Sequence, residues 1–431
     1  MTRRLAACAL AASAVLAAAC GPGRGGAPDG EVRPEEPPPL PTREPFVRVG
    51  VAVGRDSVRV ASSGGVRVSD LAAGREVGAS DGGRAWAFRA VDGGVSAVPP
   101  APADGDAAGG RASAGPHRRL RVEALGPGGL EVEGRRYRGT LELYRVRPHG
   151  LVVVNELDLE AYLLGVVPVE IGPRAPEEEA AVRAQAVAAR TYAVRNLGRR
   201  DSLGFDVFGN VEDQVYGGSG MQRTDATRAV RATEGEILTF RERPIRAYYH
   251  STGGGTTARV TDVWNLPDAP YLRRVPDRRP EGGDYCDISP RYRWEERWTP
   301  GELREAVRAG AEEHFGAGGR VGRVTAVRVL GRVPGGRIRE LEVRTEGGRW
   351  VVSRNDIRFF LRTPDGRVLR STRFDVVDGP SGGGGLVLRG RGYGHGVGMC
   401  QWGAIGRARA GQGYREILAH YYPGTEVRKA Y

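Results

Sequence analysis

The chain is short of cysteine, lysine and long apolar runs, and each shortage closes off a class of protein. Its 431 residues hold four cysteines. No CxxC or HExxH spacing occurs among them, so neither a metal nor any other cofactor is expected. Lysine is nearly absent, Lys429 being a rare exception, and the formal charge of +12 is therefore carried almost wholly by arginine. Such a charge would suit an anionic partner, whether nucleic acid, membrane surface or acidic polymer. Arginine, glycine and alanine dominate the chain throughout, however, as a GC-biased coding sequence would also produce. No lysine-aromatic interleaving marks a nucleic-acid surface, and no nucleic-acid partner is expected. No nucleophile elbow surrounds any serine, which argues against a Ser-His hydrolase. A 40% hydrophobic share over this length is ample for one or two domains.

The N-terminus carries a leader. Arg3 and Arg4 precede an apolar run, Leu5 to Ala19, that is too short to span a bilayer and ends in small residues. Leu16-Ala-Ala-Ala-Cys20-Gly21 resembles a bacterial lipobox, with leucine one place further from the cysteine than in the commonest form. Residues 1–20 are thus read as a lipoprotein-type signal, with Cys20 the site of lipidation, and plain cleavage and secretion as the alternative. Acyl chains there would anchor the protein to a membrane without spanning it. Residues 21–45, rich in Pro, Gly and charge, cannot bury enough apolar surface to fold and read as a tether. Its polyproline portion is stiff, at roughly 3.1 Å per residue. With Cys8 lost and Cys20 lipidated, only Cys286 and Cys400 remain, either disulfide-bonded or as two buried thiols.

From Phe46 the chain alternates apolar and polar residues in short runs bounded by Gly and Asp-Gly turns, so that 46–150 reads as β-rich, interrupted by a flexible Gly/Ala/Asp-rich loop at 101–118. Residues 151–431 mix helices with strands. Pro176 suits a first helical position, and Glu177 to Glu179 complement the positive end of the helix dipole. Val182, Ala186, Ala189 and Ala193 fall on one face at helical spacing. Gln185, Arg190 and Tyr192 lie in the same helix, either as solvated surface or as site residues. Thr299-Pro-Gly-Glu302 has the spacing of a capping box and opens a helix to about His314. Tyr414 to Tyr422 reads as a short amphipathic helix. Strands with interspersed helices and no regular βαβ alternation give an α+β fold.

Two segments carry chemistry. Gly165 to Asn196 sets one lone acid, Glu170, on an apolar strand end before the alanine-rich helix. Val166, Val167, Pro168, Val169 and Ile171 surround it, and desolvation would raise its pKa; pairing with an arginine such as Arg190 would lower it. Gly392 to Ala404 is glycine-dense and carries His395, Gln401 and Trp402. His250 and Ser251 end another strand pattern, where the histidine is either a substrate contact or a structural residue beside a turn.

The blocks YLLGVVPVEI, RAQAVAARTYA, DQVYGGSG, RATEGEILTF, AYYHSTGGGTT, VWNLPDAPYLRRV, IRFFLRTPDGRVLRSTRF and GYGHGVGMCQWGA with HYYPGT resemble, in order, the SpoIID/LytB family, named for stage II sporulation protein D and the amidase enhancer of endospore-forming bacteria. The resemblance runs from about Phe46 to Val427. It implies a SpoIID-like domain over 46–431 and a peptidoglycan lytic transglycosylase that cuts the β-1,4 bond after N-acetylmuramic acid, leaving a 1,6-anhydro end. The family's essential glutamate falls on Glu170. Gln185, Arg190, Tyr192, Gln214, Tyr216, Tyr249, His250, Ser251, His395, Gln401 and Trp402 would line the glycan groove. Implied partners are peptidoglycan strands and, by the enhancer branch, a wall amidase; that branch also leaves a non-catalytic, glycan-binding role as the alternative. Some sporulation members carry a cysteine before the Gln-Val-Tyr motif and bind zinc there, where this chain has Asp213. Cys400 stands where the family usually has serine, a near-isosteric exchange.

Overall fold

The computed structural model describes residues 36–101, 115–381 and 384–431. The leader with Cys20, most of the tether, and all but the ends of the 101–118 loop lie outside the described residues. Two antiparallel sheets face each other at the N-terminal end, because their runs alternate apolar and polar side chains and each buries one face. One has the strand order Val207–Phe208, Phe46–Arg55, Gly150–Asp158, Thr140–Val146, Arg119–Ala124, Val66–Asp70, Arg75–Ser80; the other has Gly94–Val98, Trp86–Val91, Ser57–Ala61, Leu130–Val132, Arg135–Tyr137. Only the short edge strand Val207–Phe208 pairs in parallel within them, Val49 lying opposite Val207. The β-rich part runs on to Asp158, so the expected boundary at 150 falls at the start of a strand.

Among the described residues, eight helices follow: α1 (Leu159–Ile171), α2 (Glu179–Arg195), α3 (Thr224–Ala232), α4 (Val260–Val263), α5 (Pro300–Phe315), α6 (Ile357–Phe360), α7 (Gln401–Arg409) and α8 (Tyr414–Tyr421). The fold is α+β. α2 begins just after a 3₁₀ turn at Pro176–Glu178. Its alanines let α1, α3, α7, α8 and the strand Glu236–Phe240 approach from several sides, and from Ala184 to Arg195 every residue is buried. The single apolar face read from spacing is therefore a minimum. Gln185, Arg190 and Tyr192 are interior residues, not solvated ones.

Between Arg293 and Arg391 the chain builds a second hydrophobic core of its own, from two three-stranded sheets, α5 and α6, with Trp294, Leu341, Phe360 and Leu388 inside it. α5 opens on the expected capping box, Thr299 Oγ1 accepting from the Glu302 amide while the Glu302 carboxylate accepts from the Thr299 amide. Past this excursion the chain returns, and Met399–Cys400 pairs in parallel with Tyr249–His250. That short pairing brings together two segments some 150 positions apart in sequence.

Candidate active site

Glu170 lies in the last turn of α1 rather than at a strand end. A continuous apolar run such as Val166–Ile171 has no periodicity to separate a buried strand from a helix buried on all sides, and here the helix forms. The side chain is 2% exposed. Its Oε1 accepts the Val215 amide at 2.9 Å, and Oε2 is buried without a hydrogen-bond partner. Desolvation raises the carboxyl pKa to about 8 against the opposing pull of the Val215 amide and the Tyr249 and Gln401 side chains. At neutral pH the group is therefore mostly protonated, with a proton available on Oε2.

Four other expected residues form a polar chain around it. Gln401 Nε2 donates to the Glu170 carbonyl at 3.0 Å and to Gln185 Oε1 at 3.3 Å, and the Gln185 amide nitrogen is buried without a partner. Gln214 Nε2 donates to the Tyr249 hydroxyl at 3.0 Å, and Tyr162, which sequence reasoning passed over, donates to Gln214 Oε1 at 3.2 Å. Trp402, at the start of α7, is half-buried with the Arg174 guanidinium 5.2 Å from its ring centroid. Arg174 was also passed over, although it stands four positions after Glu170 in the same segment.

The histidines sit behind this group. His250 Nδ1 donates to the Val397 carbonyl at 3.2 Å, leaving Nε2 buried and unpartnered. His395 Nε2 donates to the Tyr249 carbonyl at 3.0 Å, and its Nδ1 accepts the Val397 amide at 3.0 Å. Their ring centroids are 5.5 Å apart. Burial and the Arg337 charge push His250 down to about 3, and burial with His250 nearby holds His395 well below its usual value. Both are neutral at pH 7 and cannot serve as imidazolium acids; they hold the two strands in register. Ser251 is buried beside them, its carbonyl accepting the Trp402 amide at 3.1 Å.

Three expected site residues serve the framework instead. Arg190 is fully buried and meets Glu160 through two hydrogen bonds of 2.7 Å, which removes the alternative of a pair with Glu170. Tyr192 donates to Asp213 Oδ1 at 2.6 Å. Tyr216 donates to Asn155 at 3.0 Å and packs its ring against Tyr137 and Tyr162, so no face is left for a sugar. Asp213 itself is fully engaged by Tyr192, Arg200 and the Phe208 amide, which accounts for an acid in this place without a metal.

The contact between α1 and the 209–222 segment depends on Gly165. A Cβ there would stand 2.5 Å from the Tyr216 ring and 2.9 Å from the Gly218 carbonyl. Gly165→Ala is expected to destabilise the fold by about 1–3 kcal/mol and to shift the Val215 amide off Glu170. Gly220→Ala, whose added methyl meets nothing within 4 Å, should be near neutral; urea midpoints of both variants make the check.

An α+β core around a solitary, shielded carboxyl defines the class. The family model described as "Stage II sporulation protein" (SpoIID) matches residues 147–240, and that of a domain of unknown function (DUF8618) matches 284–398, a range that encloses the whole of the second core. An uncharacterized protein of Brachyspira hyodysenteriae is 33% identical over 304 residues, 69% of this chain and 74% of that protein. Stage II sporulation protein D of Bacillus amyloliquefaciens is 30% identical over 310 residues, 68% of this chain and 79% of that protein. The amidase enhancer of Bacillus subtilis is 28% identical over 339 residues, which are 69% of this chain but 45% of that protein. The chain belongs to the SpoIID/LytB family.

Proposed function

We propose that the protein is a peptidoglycan lytic transglycosylase with Glu170 as its one catalytic acid and base. The relatives' names support a role at the cell wall. The observation that carries the enzymatic reading is the buried carboxyl with a pKa near 8 and a free Oε2. In the first step Oε2 gives its proton to the glycosidic oxygen between N-acetylmuramic acid and N-acetylglucosamine as that bond breaks. The resulting carboxylate then takes the proton of the muramic 6-hydroxyl while that oxygen bonds to the anomeric carbon, closing the 1,6-anhydro ring. The proton count balances and no water is consumed, so a second carboxylate is unnecessary, unlike in the paired-acid hydrolases. Gln185, Gln401 and Tyr249 would orient the carboxyl, and Trp402 with Arg174 would meet a sugar face and a carboxylate of the wall polymer. Lipidation at Cys20 would hold the enzyme on a membrane facing the wall.

A second reading, a non-catalytic amidase enhancer or glycan-binding wall protein, is favoured by one observation. Glu170 is covered in this conformation and lines none of the main surface hollows among the described residues; one of these, lined by Arg223, Thr227, Arg228 and Arg231, opens on α3. Under the enzymatic reading, substrate entry moves the 209–222 segment that carries Val215.

Purified peptidoglycan, intact and amidase-treated, is digested by wild type and by Glu170→Gln, and the sugar ends are read by mass spectrometry. Anhydro ends are expected from wild type alone. Their absence from both digests, with amidase stimulation unchanged by the substitution, would establish the second reading instead.

A further inference from the structure

We infer that Asp277, Cys286 and Cys400 form a zinc site that clamps the start of α7. The sequence gives no warning of it, since Cys400 lies more than a hundred positions after Asp277 and Cys286 and the three match no metal-binding spacing. The fold gathers them: Asp277 lies in a loop pinned through its amide to the Gly255 carbonyl, Cys286 in the 3₁₀ turn Tyr285–Ile288, and Cys400 at the N-cap of α7. One carboxylate oxygen and the two sulfurs lie within 4.8 Å of one another, and all three residues are at most 1% exposed.

Two of the three ligand atoms have the surroundings of metal-bound ones. Asp277 Oδ1 accepts from the Tyr421 hydroxyl at 2.8 Å and from Arg407 Nε at 3.2 Å, which fixes the carboxylate plane. Its Oδ2 is buried and accepts from no N–H or O–H group, with the Cys286 thiol beside the carboxylate. A buried orphan oxygen is costly, and a cation would satisfy it. Cys400 Sγ accepts the Gly253 amide at 3.1 Å and the Gly403 amide at 3.2 Å. One amide comes from the first turn of α7 and the other from the loop after His250, so the sulfur is held from two sides. Such outer contacts on the carboxylate and the thiolate are what ordinarily orient metal ligands.

The donor set selects the ion. Two thiolates with one carboxylate oxygen suit Zn²⁺, whose bonds of about 2.3 Å to sulfur and 2.0–2.2 Å to oxygen set tetrahedral ligands roughly 3.5–4 Å apart, leaving one position for a small ligand. Charge closes as well. Two thiolates and a carboxylate carry three negative charges, which Zn²⁺ and the adjoining Arg407 balance. A Cys286–Cys400 disulfide would use the same sulfurs but leave Oδ2 with no partner, so the orphan oxygen favours the metal. The structure itself holds both cysteines as free thiols. A metal here would tie the Asp277 loop and the Cys286 turn to the residue just before Gln401 and Trp402, acting as a brace independent of any reaction at Glu170.

The test uses the full chain purified under reducing conditions without chelator. Elemental analysis should give about one zinc per chain. Replacement by Co²⁺ should give thiolate-to-cobalt charge-transfer absorption and the visible bands of a tetrahedral ion. Cys286→Ser should abolish these bands, and Asp277→Asn should weaken Co²⁺ binding by about tenfold or more. Cys400→Ser retains an N-cap acceptor for the Gly403 amide, so its loss of metal would not stem from loss of the helix start. A folded, reduced wild type that takes up neither Zn²⁺ nor Co²⁺ overturns the site, as does peptide mapping that finds Cys286 and Cys400 cross-linked in metal-free protein. The readout is metal on folded protein, so its failure is distinct from failure of the Glu170 reaction.

Discussion

Glu170→Gln is expected to lower the release of anhydro-ended fragments by about 10²–10⁴-fold, the usual worth of a positioned acid-base group, while making the fold less sensitive to rising pH. Both effects come from the same desolvation. The carboxyl titrates near 8 in the folded chain, against 4.5 as its ordinary value. Below pH 4.5 it is protonated in folded and unfolded chains alike, and its contribution to stability is fully present. Between 4.5 and 8 the folded chain keeps a proton that the unfolded chain gives up. Raising the pH therefore favours unfolding, at about 1.4 kcal/mol per pH unit from this group alone. Above 8 the loss levels off. Glutamine does not titrate, so the stability of Glu170→Gln relative to wild type should climb by that slope from pH 5 to pH 7 in urea melts. Wild-type activity should in turn hold up to about pH 8 and fall beyond it, as the acid form needed for the first step disappears. A stability difference that is flat across this range would mean that the carboxyl ionises like an exposed one, which would remove the basis of the acid-first reaction.

How much of this was legible beforehand depends on what kind of signal each feature leaves. The strands from Phe46 onward could be read because each has one face in the core and one in water, and α5 because its cap is written in four consecutive residues. Glu170 was picked out by its apolar surroundings and by resemblance, yet its secondary structure was misread: α1 is buried all round, and a uniformly apolar run has no period. The same lack of contrast concealed the burial of Arg190 and Tyr192, since alanine on every side of α2 looks like high helix propensity as readily as like interior packing. Gln185, Gln401, Gln214 and Tyr249 meet only through long-range pairing of Tyr249–His250 with Met399–Cys400, and no local pattern encodes that. Arg174 could have been suspected from its place in the Glu170 segment. The second core left strand and cap signals but no boundary, because the Pro- and Gly-bearing segments that flank it, 276–292 and 392–398, look no different from the turns within the rest of this glycine-rich chain.

Arg190→Ala is expected to cost about 3–5 kcal/mol, because it leaves Glu160 without its buried countercharge, and that is a large part of the roughly 5–15 kcal/mol that holds a domain folded. The guanidinium does more than pair with Glu160: Nη1 donates to the Glu236 carbonyl at 3.1 Å and Nη2 to the Val230 carbonyl at 3.3 Å, so one side chain joins α1, α2, the end of α3 and the strand Glu236–Phe240. Glu160 would still accept from the Tyr431 hydroxyl at 2.6 Å and the Gly235 amide at 3.3 Å, which eases but does not cancel an uncompensated charge. The double variant Glu160→Gln/Arg190→Met removes both charges at once and should recover much of the loss, since an ion pair replaced by neutral groups of similar volume is often close to neutral in stability. Function separates the two roles proposed for this residue. Five positions along α2 from Gln185, Arg190 is turned about 140° away round the helix, so the double variant, once folded, should show an unchanged KM for peptidoglycan and the same anhydro products. A KM raised severalfold in a variant whose urea midpoint matches wild type would instead return Arg190 to the substrate groove, in contact with the carboxylates of the wall polymer.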